Sequence, residues 1–427
     1  MARFRRPLHA ALRASRTFAA RALLCLACAA PGAVALAGDD ALPRLGIDVL
    51  LEQRLDLLRG KRVALVTNAT GVDRQLRSDI DRLAAHPDVA LVALFGPEHG
   101  VRGDVQAGDK VASSRDPGTG LPVHSLYGEH REPTAAMLAG IDVIVFDIQD
   151  VGTRFYTYPY TLAGVMRAAK RGGIPVVVAD RPDPLGGLRV EGPVLDPSLA
   201  SFVGLFPIPL RHGMTLGELA LLFNTEFGIG ADLHVVAMEG WRRGEEPLRE
   251  ALPWVPPSPN MPTPDTALVY PGLGLLEGTN VSEGRGTTRP FEMLGAPWVD
   301  ARALADRLNA LRLPGARFRA AWFTPSFSKH AGLACGGVQV HITDRAAFRP
   351  VRTGIAVLKA LHEQHPKDFA FLSGDPPFFD RLSGVPWLRE AILRGDAIEA
   401  IEARWTPELR QFERLRQRYL LYAEAAQ

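Results

Sequence analysis

Four short apolar runs, each closed by a cluster of polar residues, constrain the fold of this chain more than any other feature. They are Lys61–Asn68, Val89–Phe95, Asp142–Ile148 and Ile174–Asp180. The runs are apolar throughout rather than alternating, as strands buried on both faces are. Helical patterns fall between them at Gln75–Ala85, Glu132–Ala139 and Tyr160–Arg171. Strands alternating with helices predict an α/β fold with a Rossmann-like, doubly wound parallel sheet. A further helix is expected over Thr215–Phe227. Its opening Thr215-x-x-Glu218 reads as a capping box, which gives Glu218 a structural role. A strand is expected near Leu233–Met238, and Pro253–Pro264 reads as an irregular loop crossing between domains. Helices at Asp300–Leu311, Arg349–His362, Pro386–Leu393 and Pro407–Ala423, with strands at Arg317–Phe323 and Gly337–Thr343, predict a second, smaller α+β domain. The division is drawn at 38–230 and 231–427.

The first 37 residues carry six arginines and no acid, then an apolar stretch from Ala22 to Ala30 and the small-residue run Ala35-Leu36-Ala37. That order is the pattern of a secretory signal, with cleavage expected after Ala37 and a periplasmic or secreted destination. Removing it turns the formal charge of the 427-residue chain from +2 to −4, so the basic balance belongs to the signal. Without a basic patch there is no electrostatic case for nucleic-acid binding. Only Cys335 remains, which excludes an intrachain disulfide and a cysteine zinc site. No later apolar run is long enough to span a bilayer.

Ligands of open parallel sheets bind outside the carboxyl ends of the strands. Here those ends read Thr67-Asn68-Ala69-Thr70-Gly71, Gly96-Pro97-Glu98-His99-Gly100, Asp147 to Tyr158, and Asp180-Arg181-Pro182-Asp183-Pro184. The first turn lacks the glycine spacing of a dinucleotide site, Gly272, Gly274 and Gly278 are wrongly spaced for one, and there is no phosphate-binding P-loop. No cofactor and no metal are therefore expected.

Glu98, bracketed by Pro97 and Gly100 at a strand end, is the leading candidate for general-acid work, since partial desolvation there suits a carboxyl to it. His99 orients Glu98, ligates a metal or packs. Asp147, Gln149 and Asp150 follow the third strand, and Arg154 pairs with Asp150 or clamps a substrate carboxylate. Tyr156 and Tyr158 would share a face if their segment is extended, and so form a sugar-stacking platform or part of the core. Asn68, Asp180, Arg181, Arg211, His212 and Asn260 complete the rim and its bordering loops. A second cluster lies in the glycine-punctuated loop 277–287, with Glu277, Asn280, Glu283 and Arg285 as candidates. His330 and His341 read as structural.

At these motifs the chain resembles the exo-β-N-acetylmuramidase family of NamZ-type glycoside hydrolases. The signatures are GPEHG at 96–100, DIQDVGTRFYTY at 147–158, DRPDP at 180–184, RHGMTLGELA at 211–220, PSPNMP at 257–262 and EGTNVSEGRGT at 277–287. One departure is Asp183, where the family pattern has Asn. The resemblance implies a Rossmann-like domain joined to a smaller one with the active cleft between them. It also implies release of N-acetylmuramic acid from the non-reducing end of peptidoglycan-derived saccharides. Glu98 falls on the family's GPEH glutamate and Glu283 on its SEGRG glutamate.

Glycoside cleavage needs a protonated carboxyl at the leaving oxygen and a second carboxylate or the substrate's own acetamide. Glu98 is accordingly expected as the acid, and Asp150 or Glu283 as base, nucleophile or acetamide-orienting group. The lactyl carboxylate of muramic acid asks for a cation, with Arg154, Arg211 and Arg285 as candidates. Two other readings stand beside this one. The first is a metal-dependent cell-wall sugar hydrolase or deacetylase using His99, Asp147 or Asp150. The second is a non-catalytic periplasmic sugar-binding protein.

Overall fold

In chain order the strands are β1 (Arg62–Thr67), β2 (Ala90–Gly96), β3 (Ser114–Arg115), β4 (Pro122–Ser125), β5 (Val143–Asp147), β6 (Val176–Ala179), β7 (Glu191–Val194), β8 (Pro209–Arg211), β9 (Leu233–Val236), β10 (Met293–Ala296), β11 (Ala316–Phe323) and β12 (Cys335–Ile342). They are those of a computed structural model that describes residues 42–103, 113–246, 248 and 252–425. The segment read as a secretion signal, with Ala37, lies outside the described residues. No helix among the described residues is long and apolar enough to cross a membrane.

The main sheet runs β3-β4-β2-β1-β5-β6-β9 and is parallel except at the two-residue edge strand β3. Successive residues of each central strand serve opposite faces. Ala64, Val66, Ile144 and Phe146 join one apolar cluster, whereas Val63, Leu65, Val143 and Val145 join the other. Each of the larger side chains among them contributes about 1.5–3 kcal/mol on full burial, and only a strand covered on both sides can be apolar at every position. This is the doubly wound arrangement that the apolar runs predict. The chain leaves β1 toward β2 on one side and returns to β5 on the other, so the switch point lies between the carboxyl ends of β1 and β5.

The helix Tyr158–Gly172 begins with Pro159 in its first turn and ends with Gly173 in the left-handed conformation, with Lys170 and Arg171 in the last turn. The capping box at Thr215 is present. The Glu218 carboxylate accepts the Thr215 N–H at 2.9 Å, and the helix runs Leu216–Glu226. Residues 132–139 are turns, not the helix expected there, because Pro133 withholds an N–H, the Thr134 hydroxyl takes up that of Met137, and Gly140 turns the chain away at φ 74°. The helix Pro264–Leu273 was not anticipated, and Pro407 lies inside the helix Ile398–Arg416 rather than at its start.

The second sheet is antiparallel, β10-β12-β11, with the helix Ala301–Ala310 packed on β11 and β12 and the helix Pro350–Gln364 packed in turn on that helix. Strand β9 pairs with β6 and so carries the main sheet past residue 230. The chain end also returns to this sheet. The Tyr422 hydroxyl donates to Asp180 at 2.6 Å, and Arg416 donates to the carbonyls of Gly187, Leu188 and Gly213.

Candidate active site

Glu98 stands two residues beyond β2, in a turn closed by the Gly100 N–H on the Pro97 carbonyl at 3.0 Å. His99 inside this turn is buried and left-handed, φ 75°. That conformation costs a non-glycine residue about 1–2 kcal/mol and persists where the surroundings impose it. Glu98 itself is half-buried. Its carboxylate accepts the Thr157 hydroxyl at 3.0 Å. A hydroxyl donates to a carboxylate and accepts from a carboxylic acid, so Thr157 can serve Glu98 in either form. Burial and the charge of Glu98 push the Tyr127 phenol up.

Asn68, at the switch point, donates to the Tyr158 hydroxyl at 2.8 Å, and Tyr158 donates to the Pro257 carbonyl at 2.5 Å. From there an edge-on chain of rings crosses the molecule. Tyr158 meets Tyr156 at 4.9 Å, Tyr156 meets Tyr270 at 5.9 Å, and Tyr270 meets Phe291 at 4.7 Å between centroids. The expected stacking platform at Tyr156 and Tyr158 is therefore corrected. The segment is not extended, since Thr157 is helical (φ −82°, ψ −15°), and both rings are buried against each other.

The far end of the ring chain reaches the 277–287 loop. Arg285 donates to Glu277 at 2.8 Å and lies 3.3 Å from a Glu283 oxygen. Lys329 donates to the other Glu283 oxygen at 2.9 Å and to the carbonyls of Leu276 and Val281 at 2.9 and 3.1 Å. Glu283 is buried. Gly284 has φ 82°, and a side chain there would stand 2.3 Å from the Met293 carbonyl, so only glycine lets the loop fold this tightly. Burial pushes the Glu277 carboxyl up against the pull of Arg285. Burial opposes the charge on Arg285 too, but Glu277, Tyr270 and Glu283 outweigh it and raise its pKa. The Tyr270 phenol is pushed well up by burial, then by Glu277, Glu98 and Glu283. It thus feels the charge of both carboxyl clusters.

Other residues read as site candidates turn out to hold the rim together. Asp147 gives both oxygens to Arg181, which also bonds Asp79 and the Val72 carbonyl. That leaves Asp147 unavailable as a metal ligand, and among the described residues no group of three or more His, Cys, Asp or Glu side chains is placed to hold a metal ion. Asp180 accepts from Thr215, Tyr422, the Gly217 N–H and the Arg181 N–H, and burial with the charge of Glu218 pushes it up to about 6. Arg154 is fully buried and donates to the carbonyls of Pro193, Ile208 and Leu382, while burial lowers it to about 10. Arg211 is buried and donates to the Leu185 carbonyl. Neither arginine is open to a substrate carboxylate, which corrects that expectation. Asn280 bonds the Asp368 carbonyl and the Ala370 N–H and so pins one chain segment to another.

Asp150 is buried beside His212, 3.5 Å away. One Asp150 oxygen accepts the Gly152 N–H at 2.9 Å, while the other has no partner among the described residues. Gln149 donates to the Asp150 and Pro182 carbonyls, and Asn260 is buried with its N–H on the Ser258 hydroxyl. A narrow cavity of about 20 Å³ at the mouths of β1 and β5, bordered by Thr70, Gln149, Arg181 and Trp254, has room for little more than one water. Glu98 does not line it. Sequence reasoning missed Tyr127, Thr157, Tyr270 and Lys329. Thr157 lies between Tyr156 and Tyr158 in the 147–158 signature, and Lys329 precedes His330.

Two family models match in tandem, "Exo-beta-N-acetylmuramidase NamZ, N-terminal" over residues 63–265 and "Exo-beta-N-acetylmuramidase NamZ, C-terminal" over residues 268–422. The peptidoglycan beta-N-acetylmuramidase NamZ of Bacillus subtilis (strain 168) is 56% identical over 365 residues, 86% of this chain and 88% of that protein. A crystal structure of a DUF1343 family protein from Bacteroides fragilis is similar with a TM-score of 0.83 at 42% identity, covering 90% of this chain and 99% of its own. A second DUF1343 family protein from that organism is similar with a TM-score of 0.73 at 32% identity and the same coverage.

Proposed function

The chain belongs to the exo-β-N-acetylmuramidase family and is a glycoside hydrolase, and from that premise we propose that it removes terminal N-acetylmuramic acid from the non-reducing end of peptidoglycan-derived saccharides, with Glu98 as general acid. The observation that supports this reading is the buried ring chain from Tyr158, beside the Glu98 carbonyl, to Phe291, under Arg285, which links the Glu98 turn to the 277–287 loop.

Glu98 is half-open to solvent and steadied by the Thr157 hydroxyl. In the proposed reaction it gives its proton to the glycosidic oxygen as the bond to the anomeric carbon breaks, and a water molecule adds its oxygen to that carbon and loses a proton, which completes the hydrolysis. The positive charge that develops on the sugar ring needs an anionic group nearby. We assign that role to Glu283, whose position is set by Lys329 and Arg285.

The test is mass spectrometry of products after incubation, in EDTA, with N-acetylmuramic acid β-linked to N-acetylglucosamine. Free N-acetylmuramic acid is expected. An intact disaccharide, with or without added divalent metal, refutes the reading. Glu98→Gln should lower kcat by about 10²–10⁴-fold, the usual contribution of a general acid, with the fold unchanged. Turnover near that of the parent protein would remove Glu98 from the role.

The reading includes export, supported by the arginine-rich, acid-free start and the apolar stretch before Ala37. Amino-terminal sequencing of protein recovered from the periplasm should begin at Gly38. A cytoplasmic protein that keeps Met1 would overturn it.

A further inference from the structure

We propose that Arg131 receives the lactyl carboxylate of the terminal muramoyl sugar and so sets selectivity over N-acetylglucosamine, an inference that rests on the function proposed above. The cations named from sequence do not serve. Arg154 and Arg211 are buried against backbone carbonyls, and Arg285 lies between Glu277 and Glu283. Lys329 is held by Glu283 and the carbonyls around it.

Arg131 differs in each respect. It is exposed, and it forms no salt bridge among the described residues. The neighbouring acid, Glu132, is bonded to Arg171 at 2.7 Å. The Arg131 guanidinium carbon lies 3.6 Å from the ring centre of Phe202 and 4.5 Å from that of Tyr127. Aromatic faces fix the plane of a guanidinium without using its in-plane N–H groups, and those groups form the fork that matches a carboxylate. An exposed arginine stacked on two rings and without a carboxylate partner among the described residues is a pre-organised anion site.

Its location fits the substrate. Tyr127, on which Arg131 stacks, follows Leu126, whose N–H bonds the Gly96 carbonyl at 2.8 Å two residues before Glu98. The lactyl ether branches from the sugar two ring carbons from the anomeric centre, so its carboxylate must lie beside the proton donor, not at it. Arg131 stands one aromatic residue from Glu98. N-acetylglucosamine lacks the lactyl group and would leave the guanidinium with water.

Arg131→Gln and Arg131→Lys are assayed with 4-nitrophenyl β-N-acetylmuramide and with the same glycoside carrying a lactyl carboxamide. For Arg131→Gln, kcat/KM on the carboxylate substrate should fall about 10- to 100-fold, mostly through KM, and change less than about twofold on the carboxamide, as loss of one charge-assisted contact predicts. Arg131→Lys should recover part of the loss. An equal loss on both substrates would mean that Arg131 only steadies Tyr127 and Phe202, and an unchanged carboxylate rate would remove it from the site. Either result overturns the proposal. Parent protein that cleaves neither glycoside refutes the muramidase reading itself, and this inference with it.

Discussion

Lys329→Met tests whether the loop that carries Glu283 is held by a single ammonium group. Methionine keeps most of the aliphatic stem and removes the charge. Lys329 donates to Glu283 at 2.9 Å and to the Leu276 and Val281 carbonyls at 2.9 and 3.1 Å, and it is half-buried whereas Glu283 is buried. Removing one partner of a buried ion pair costs about 3–5 kcal/mol. Partial solvent access at Lys329, and Arg285 on the other Glu283 oxygen, place the expected loss near the lower end, about 3 kcal/mol. Urea unfolding of Lys329→Met, Glu283→Gln and the double variant should give a coupling of about 1.5–3 kcal/mol, the size of a charge-assisted hydrogen bond. Activity should fall further than stability accounts for, because Glu283 is displaced in the folded fraction. A loss under about 0.5 kcal/mol with additive single effects would refute the argument, since that is the range of an ordinary surface substitution.

Other perturbations follow from the buried charges. Glu191 has one oxygen on the Arg352 N–H at 2.9 Å and the other without a partner among the described residues, and burial pushes it up to about 7. A carboxyl raised in the folded state stabilises fully below its unfolded pKa, and that stability is lost as pH rises through 7. Glu191→Gln should therefore gain about 2–3 kcal/mol relative to the parent protein between pH 5 and pH 8, read by urea unfolding. A difference that does not change with pH would contradict the assignment. Arg154→Met leaves three buried carbonyls without their donor and should cost about 3–5 kcal/mol in thermal or urea unfolding. The folded fraction should keep its KM, and a selective rise in KM would return Arg154 to the substrate site.

The main sheet is legible in the sequence because parallel strands covered on both faces have no polar side to interrupt them. Helices with one wet face are legible for the complementary reason. The helix Pro264–Leu273 is not, because nearly every side chain from Thr266 to Leu273 is buried and no periodic pattern remains to be read. Its Gly272 approaches the helix Pro350–Gln364 so closely that a Cβ would lie 1.8 Å from the Pro350 carbonyl, which explains a glycine pair that fits no nucleotide motif. That polar loops gather at the strand ends follows from topology. Which rim residues face the cleft does not follow, because burial is decided by distant partners. Arg154 is buried by acceptors as far off as Leu382, and Lys329 bonds carbonyls some fifty positions earlier.

Those distant partners also explain why the signature segments are so polar. The loops at the strand ends are buried, and buried carbonyls without secondary structure need donors from elsewhere. Arg154, Arg243 and Arg416 supply them. Arg243 and Arg416 both donate to the Gly187 and Gly213 carbonyls, and Arg243 also pairs with Glu218. Guanidinium suits the task because its fixed fork serves two or three acceptors from one side chain. The polar motifs are thus mainly the frame that lets irregular backbone sit inside the protein without flexing. Glu98 and Glu283 depend on that frame, since each stands on a loop and not on a strand or helix. If the frame sets their separation, substitutions at Arg243 or Arg416 should lower turnover before they unfold the chain, whereas loosening the exposed helix face at Arg410 should leave turnover unchanged. Parallel measurement of kcat and unfolding free energy across these three positions separates a rigid frame from a merely stable one, and a strict proportionality between the two quantities would defeat the argument.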